Sequence, residues 1–206
     1  MTAATRERIV ETAARLFHEQ GFASTGVATI LREADVNSGS LYHFFSSKDE
    51  LLKGVLHWYL ENLYPLVMAP IVGQEANPIE RVFCLLGWYR QFLLDNECTM
   101  GCPVGNLALE VCDTHPEIRD LVNANFDNWA SILRSWFEEG DAHLPADIDK
   151  EALARFVLTV MEGGVLQARA AGSVEPYDQS VAHLRRYFDS LQAARQTPGC
   201  PREATS

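Results

Sequence analysis

Several features that mark other classes of protein are missing from this sequence. No stretch of ~18 apolar residues runs without a charge, so no membrane-spanning helix is expected. The segment from Met1 to Arg8 carries charges where a signal peptide needs an apolar core, and we therefore expect a cytoplasmic protein. The five cysteines are odd in number and lack the spacing of zinc ligands, which argues against a disulfide framework or a structural metal. We expect no cofactor.

An excess of basic residues is also missing, which at first argues against binding to nucleic acid. The net charge of the 206 residues is −11, but it is distributed unevenly. Residues 1–60 contain six basic and seven acidic residues, a net charge of −1, whereas residues 61–206 contain eleven and twenty-one, a net charge of −10. A near-neutral first part and a strongly acidic remainder predict two parts with different tasks.

Sustained alternation of apolar and polar residues is absent as well, and helical periodicity takes its place. We predict an all-α fold of about nine helices. A three-helix domain over residues 1–50 precedes a larger helical domain over residues 51–195, and residues 196–206 are expected to form a disordered tail.

Local signals set several helix ends. Asn37 is predicted to cap a short helix over residues 38–44, and Ser47 with Glu50 forms a capping box that opens the next helix. Thr114 with Glu117 is a second capping box, expected to open a long helix that ends at Gly140. Pro65 and Pro70 are expected to break the fourth helix, and a further short helix is expected over residues 106–112.

Residues 25–44 form two short helices joined by a tight turn, the pattern of a helix-turn-helix. In the second helix Leu41 and Phe44 are expected to face inward. The other side would then present small and polar side chains to base edges and phosphates: Ser38, Ser40, Tyr42 and His43. Lys48 follows in the first turn of the next helix, whose N–H groups attract phosphate. The alternative is that Tyr42 and His43 are packing residues and that Lys48 is only a solvated charge.

The string itself closely resembles the DNA-binding signature of the TetR family of bacterial transcriptional regulators. The matching positions are Leu16-Phe17, Gly21-Phe22, Gly39-Ser40-Leu41-Tyr42, Phe45, Ser47-Lys48 and Leu51-Leu52. Ser38 stands where the family often has Lys, and Asp35 stands where Gly commonly ends the second helix. The resemblance implies a homodimeric repressor that binds a double-stranded DNA operator through Thr25, Ser38, Gly39, Ser40, Tyr42, His43 and Lys48.

By the same resemblance, a small-molecule effector binds within the larger domain and releases the operator. Its aromatic and polar residues are consistent with an apolar pocket that has a few hydrogen-bonding groups. We expect the effector at Tyr59, Trp88, Phe92, Cys102, Asn106, Phe126 and Trp129, with Glu110 as a further polar contact. The alternative is that the aromatic residues form a plain hydrophobic core.

The segment from Met100 to Glu110, with its Gly-Cys-Pro and Gly-Asn-Leu-Ala strings, resembles a branch of TetR-like regulators that includes sensors of reactive electrophiles. Cys102 precedes a short helix, whose N-terminal dipole is expected to lower the pKa of the thiol and favour a reactive thiolate. The alternative is that Cys102 is a small buried hydrophobic residue.

The last two predicted helices carry apolar faces that are expected to pair with those of a second subunit. The expected dimer interface consists of Phe156, Val160, Gly163, Gly164, Leu184, Tyr187 and Phe188. In the alternative, both helices close the core of the monomer.

Two other functions stay open: a helical adaptor that binds proteins, and a cysteine enzyme using Cys102 or Cys112 with His115. The enzyme is disfavoured because no third residue orients such a pair.

Overall fold

The computed structural model describes residues 2–196, and side chains over residues 2–194, as an all-helical chain without a strand. The α-helices are α1 (Ala3–Gln20), α2 (Val27–Glu33), α3 (Ser38–Phe44), α4 (Lys48–Leu63), α5 (Ala69–Gln74), α6 (Pro78–Asp95), α7 (Pro103–Val111), α8 (Pro116–Glu139), α9 (Lys150–Ala171) and α10 (Glu175–Gln196). A π-helical segment, Tyr64–Met68, joins α4 to α5 without a break, and a 3-10 turn, Asp141–His143, follows α8. When α4, the π-helical segment and α5 are counted as one continuous helix, the described residues contain nine helices, in agreement with the prediction of about nine.

Helices α1–α3, called the head below, pack around one apolar centre. Ile9 and Phe17 of α1, Ile30 of α2 and Leu41 of α3 are each buried to 2% exposure or less, so the amphipathic face of every helix points inward. Asn37 caps α3 as predicted, because its Oδ1 accepts a hydrogen bond from the N–H of Ser40 at 2.8 Å.

Asp35 ends α2 in the left-handed region, with a φ of 50°. The family resemblance places Gly at this position, and the backbone takes the conformation that Gly favours although the side chain is Asp. The guanidinium of Arg8 donates to the carbonyl oxygen of Asp35 at 3.3 Å and helps to hold this turn.

Two sequence predictions about helix ends were wrong. Pro65 and Pro70 do not break the helix, because the backbone widens into the π-helical segment and continues. Thr114 does not cap α8. The capping position is His115, which makes no side-chain cap, and the hydroxyl of Thr114 bonds Val111 O and His115 Nδ1 instead.

The remaining helices, α4–α10, are called the body below. Helix α4 connects the two parts, since it packs on α1 at one end and on α8 further along. Helix α7 begins at Pro103, three residues earlier than position 106 expected from the sequence. Among the described residues, no helix is long and apolar enough to cross a membrane. The predicted tail lies outside the described residues from position 197 onward.

Helices α9 and α10 pack closely against each other at Gly164. A Cβ atom at this position would lie 2.9 Å from Cδ2 of Tyr177, whose ring is buried and whose hydroxyl donates to Leu86 O at 2.8 Å. Gly164 therefore belongs to the contact between α9 and α10 of one chain, and it also lines the groove between these helices.

Replacing Gly164 by Ala is expected to lower the free energy of unfolding by about 1–3 kcal/mol, because the added methyl group overpacks the Tyr177 ring. The matched control is Gly87→Ala in α6, where a Cβ would meet nothing within 4 Å and helix propensity alone should stabilise by about 1 kcal/mol. Urea unfolding followed by circular dichroism measures both. Equal stabilisation by the two substitutions would contradict the described packing.

Candidate DNA-binding surface and effector cavities

The outer face of α3 is open to solvent. Ser38, Gly39 and His43 are exposed, Ser40 is half-buried, and the ring of Tyr42 is 55% exposed. Leu41 and Phe45 point into the head and are nearly fully buried, and Phe44 is partly buried against the core. The helix therefore presents to solvent the polar and aromatic side chains that were predicted to reach DNA.

Two residues predicted to contact DNA lie elsewhere. Thr25 is fully buried, and its hydroxyl bonds the carbonyl oxygens of Gly21 and Leu16. The amine of Lys48 donates to Phe22 O and lies 4.3 Å from the centre of the Phe22 ring, and burial lowers its pKa. Both side chains thus hold the turn between α1 and α2. The Thr25 hydroxyl is buried and cannot reach DNA, whereas Lys48 is half-buried and its amine has two further N–H donors.

The first cavity of the body, called the aromatic cavity below, has a volume of about 290 Å³. Four of the predicted effector residues line it: Tyr59, Trp88, Phe92 and Trp129. Its wall contains a stack of three rings that reaches the head. Trp88 lies parallel to Phe92 with centroids 6.0 Å apart, and Phe92 lies parallel to His18 of α1 at 5.8 Å.

The second cavity lies between α7 and α9 and is called the α7–α9 cavity. It has a volume of about 540 Å³ and is lined by the other three predicted effector residues, Cys102, Asn106 and Phe126. Helix α7 separates the two cavities: Pro103 and Val104 line the aromatic cavity, and the residues on either side of them line this one. The sequence predicted one pocket, whereas the predicted residues divide between two.

The expectation of a thiolate at Cys102 was wrong. Its Sγ does accept a hydrogen bond from the N–H of Gly105, as expected at the start of a helix. The residue is only 2% exposed, however, and burial raises the pKa of the thiol well above its ordinary value. Desolvation outweighs the helix dipole, which contributes only about 0.3–1 kcal/mol at exposed sites.

Helix α7 is tied to the head at both ends. Just before it, the carbonyl oxygen of Gly101 accepts a 2.6 Å hydrogen bond from Nε2 of His18, whose pKa is lowered by burial, so the ring is neutral at neutral pH. Near its end, the carboxylate of Glu110 accepts hydrogen bonds from the backbone N–H groups of Phe22, at 2.8 Å, and Ala23, at 2.6 Å. These bonds join the body to the turn that precedes the helix-turn-helix.

Gly21 makes room for this arrangement. Its φ is 85°, a backbone conformation that glycine favours, and a Cβ at this position would lie 3.3 Å from Oε2 of Glu110. Sequence reasoning placed Glu110 in the effector site and overlooked His18. Glu110 stands among apolar residues, and that local pattern does not indicate that its hydrogen-bond partner, Phe22, lies 88 residues earlier in the chain.

The predicted dimer residues divide into exposed and buried sets. Phe156 is 44% and Tyr187 39% exposed, and their rings meet edge to face at 5.6 Å. Val160 and Gly163 are half-buried beside them. Leu184 and Phe188 are at most 2% exposed and, with Gly164, pack within the chain, although Gly164 and Leu184 also line the groove between α9 and α10. Within the described residues, no group of three His, Cys, Asp or Glu side chains is placed to hold a metal ion.

Comparison with known proteins places this architecture in one family. Residues 9–55 match the family model described as bacterial regulatory proteins of the tetR family. Residues 78–184 match the model of the tetracyclin repressor-like C-terminal domain.

Similar full-length proteins carry related descriptions. The HTH-type transcriptional repressor NemR of Escherichia coli is 26% identical over 186 residues, which cover 88% of this chain and 92% of that protein. The HTH-type transcriptional repressor DhaR of Mycobacterium sp. is 24% identical over 176 residues, with 84% and 87% covered.

Two crystal structures agree with the fold. The reduced form of E. coli NemR superposes with a TM-score of 0.76 at 26% identity, covering 88% of this chain and 96% of that one. A regulatory protein TetR from Rhodobacter sphaeroides superposes at 0.78 and 24% identity, covering 92% and 99%. With both family models matched in order along one chain, this protein belongs to the TetR family of helix-turn-helix transcriptional regulators.

Proposed function

We propose that the protein is a homodimeric repressor that reads a pseudo-palindromic operator with the outer face of α3 and releases it when an effector binds the body. The observation that carries this proposal is the capped, exposed face of α3, with Tyr42 at its centre and the core beneath it complete. A rigid helix of this kind fits the major groove, and two copies about 34 Å apart would meet successive turns of DNA. The relatives are transcriptional regulators, and we place the protein at DNA in the cytoplasm.

Residues 1–50 act as the DNA-reading domain and residues 51–195 as the effector and dimer domain in this proposal. The effector site is the aromatic cavity, because one of its walls is a side chain of the head. A planar aromatic molecule there would replace or displace the stack of Trp88, Phe92 and His18. Movement of His18 changes its hydrogen bond to Gly101 and therefore the position of α7.

Glu110 completes the path from effector to DNA. A shift of α7 carries the Glu110 carboxylate with it, and that carboxylate holds two N–H groups of the turn between α1 and α2. Since α2 and α3 follow this turn directly, the orientation of the reading helix depends on where α7 lies. The effector changes operator affinity to the extent that it prefers one of the two positions.

Reversible binding, rather than covalent modification of Cys102, fits the described state. The thiol is buried and its pKa is raised, so neither its access nor its ionisation favours reaction with electrophiles.

The dimer forms, in this proposal, through the exposed apolar side chains of α9 and α10. Phe156 lines a groove between these helices, and among the described residues its ring and that of Tyr187 stay exposed. Exposed aromatic residues of this kind are typical of the centre of protein interfaces.

Tyr42→Ala is expected to weaken binding to an operator selected from random DNA by about ten- to a hundredfold, because a base-edge contact is lost. Tyr64→Ala removes an equally exposed ring, 48% against 55%, from the body and serves as the control. Fluorescence anisotropy of labelled DNA measures both. Unchanged affinity of the Tyr42 variant would remove this residue from the reading surface.

Phe156→Asp is expected to convert the dimer to monomers at low micromolar concentration, since a charge would have to be buried in the interface. Leu94→Asp is the control, as Leu94 is a similarly exposed apolar residue of α6, at 42%. Light scattering coupled to gel filtration gives the mass. A Phe156 variant that keeps the mass of a dimer would place the interface on another surface.

Glu110→Ala is expected to uncouple the two parts. Operator affinity measured with and without an aromatic effector, identified by thermal shift, should differ by less than about threefold in the variant, against roughly 5–150-fold in the unmodified protein. Glu117→Gln at the exposed start of α8 is the control. Full release of DNA by effector in the Glu110 variant would exclude this path.

Iodoacetamide is expected to label exposed Cys84 well before buried Cys102 in the folded protein. Peptide mass mapping over time separates the two sites, and labelling in denaturant supplies the reference for equal access. Equal rates at the two thiols under native conditions would restore Cys102 as a reactive sensor.

A further inference from the structure

Glu162 is a buried carboxylate that the proposed function does not use. It lies on α9 and lines the α7–α9 cavity, whose other walls are mainly apolar, including Phe126, Leu158 and Val165. Its Oε1 atom is buried and has no hydrogen-bond partner among the described residues. Buried polar atoms are nearly always satisfied, so an orphaned acceptor beside a cavity of ligand size calls for a donor from outside the chain.

The sequence keeps the space around this carboxylate open. A Cβ atom at Gly105 would lie 2.6 Å from Oε2 of Glu162, so any larger residue there would displace the carboxylate. Burial raises the pKa of Glu162 to about 7, although a side-chain hydrogen bond from the Cys102 thiol acts to lower it. The site therefore keeps a desolvated acid in place without supplying it a cation.

The nearby cations are engaged elsewhere. Arg155, at the rim of the cavity, bonds Asp127 at 2.9 Å and Glu151 at 3.1 Å. Arg169, also at the rim, is exposed and donates to Asn106 Oδ1 at 3.0 Å. The ionisable and charged groups that face Glu162 from α6, α7, α9 and α10 are Tyr89, Cys102, Arg155, Arg169 and Tyr177.

We propose that the α7–α9 cavity is a second effector site, and that it takes an apolar molecule with an amine head whose N–H group donates to Glu162. A charge-assisted bond of this type satisfies the orphaned oxygen and replaces the water lost from the carboxylate. The apolar walls bind the hydrocarbon part. This inference rests on the proposed function, since it names a second class of effector for the same regulator.

The amine head distinguishes this site from the aromatic cavity on the other side of α7. The aromatic cavity offers ring faces and a neutral His18, which suit an uncharged planar molecule. The α7–α9 cavity offers an acid. Because α7 forms a wall of both, two chemically different molecules would act on the same helix.

Isothermal titration of the full chain with phenylbutylamine, and with phenylbutanol as its uncharged analogue, tests the proposal. The amine should bind the unmodified protein more tightly than the alcohol. Glu162→Gln should weaken binding of the amine by about ten- to a hundredfold and leave the alcohol nearly unchanged. Glu61→Gln, which removes an exposed carboxylate of α4, is the matched control and should change neither.

A second measurement needs no variant. Near neutral pH the Glu162 carboxyl is about half protonated, and an ammonium head favours the carboxylate, so binding should release up to about half a proton to the buffer. Titrations in phosphate and Tris, which differ in ionisation enthalpy, report this proton. Equal affinity of amine and alcohol, no proton release, or equal amine binding by the Gln variant would each overturn the proposal.

A measurement of operator binding distinguishes failure of the amine-site proposal from failure of the proposed function. A protein that binds operator but shows no selectivity for the amine loses only the second site. A protein that binds no DNA sequence loses the proposed function, whatever the amine does.

Discussion

The carboxylate of Glu110 is the contact on which the arrangement of the two parts depends. It accepts two backbone N–H bonds from the turn between α1 and α2, and an ionised acceptor makes each bond stronger than a neutral one would be. Gly21 gives it access, and Lys48 braces the same turn through Phe22 O. A backbone turn held in this way moves with the helix that holds it.

Helix α7 gains its importance from its position between two cavities and the head. It is short, and both of its ends touch the head, so a displacement on either side reaches the DNA-reading surface without passing through a long chain of contacts. Cys102 at the start of α7 and Glu162 on α9 both line the α7–α9 cavity. In the proposed function, ligands of different chemistry would therefore act on the same helix, and the regulator would respond to more than one signal.

Much of the fold could be predicted, because its signals are local. The caps at Asn37 and Ser47 follow from neighbouring residues, and both are confirmed. The contacts that Thr25, Gly164 and Glu110 make within the chain were not predicted, because their partners lie on other helices or across a turn. A small residue on a helix face gives the same sequence pattern whether it packs against its own chain or against a second subunit. The division of the predicted effector residues between two cavities likewise depends on where α7 lies, which no periodicity reveals.

Amide hydrogen exchange at Phe22 and Ala23 tests whether Glu110 carries the effector signal from α7 to the head, because these two N–H groups are the donors to Glu110. The N–H of Ser40, capped by Asn37 within the head, is the internal reference. An effector in the aromatic cavity is expected to speed amide exchange at residues 22 and 23 and to leave the exchange rate of the Ser40 amide unchanged. Release of operator with unaltered exchange at both amides would show that the signal reaches α3 by another route.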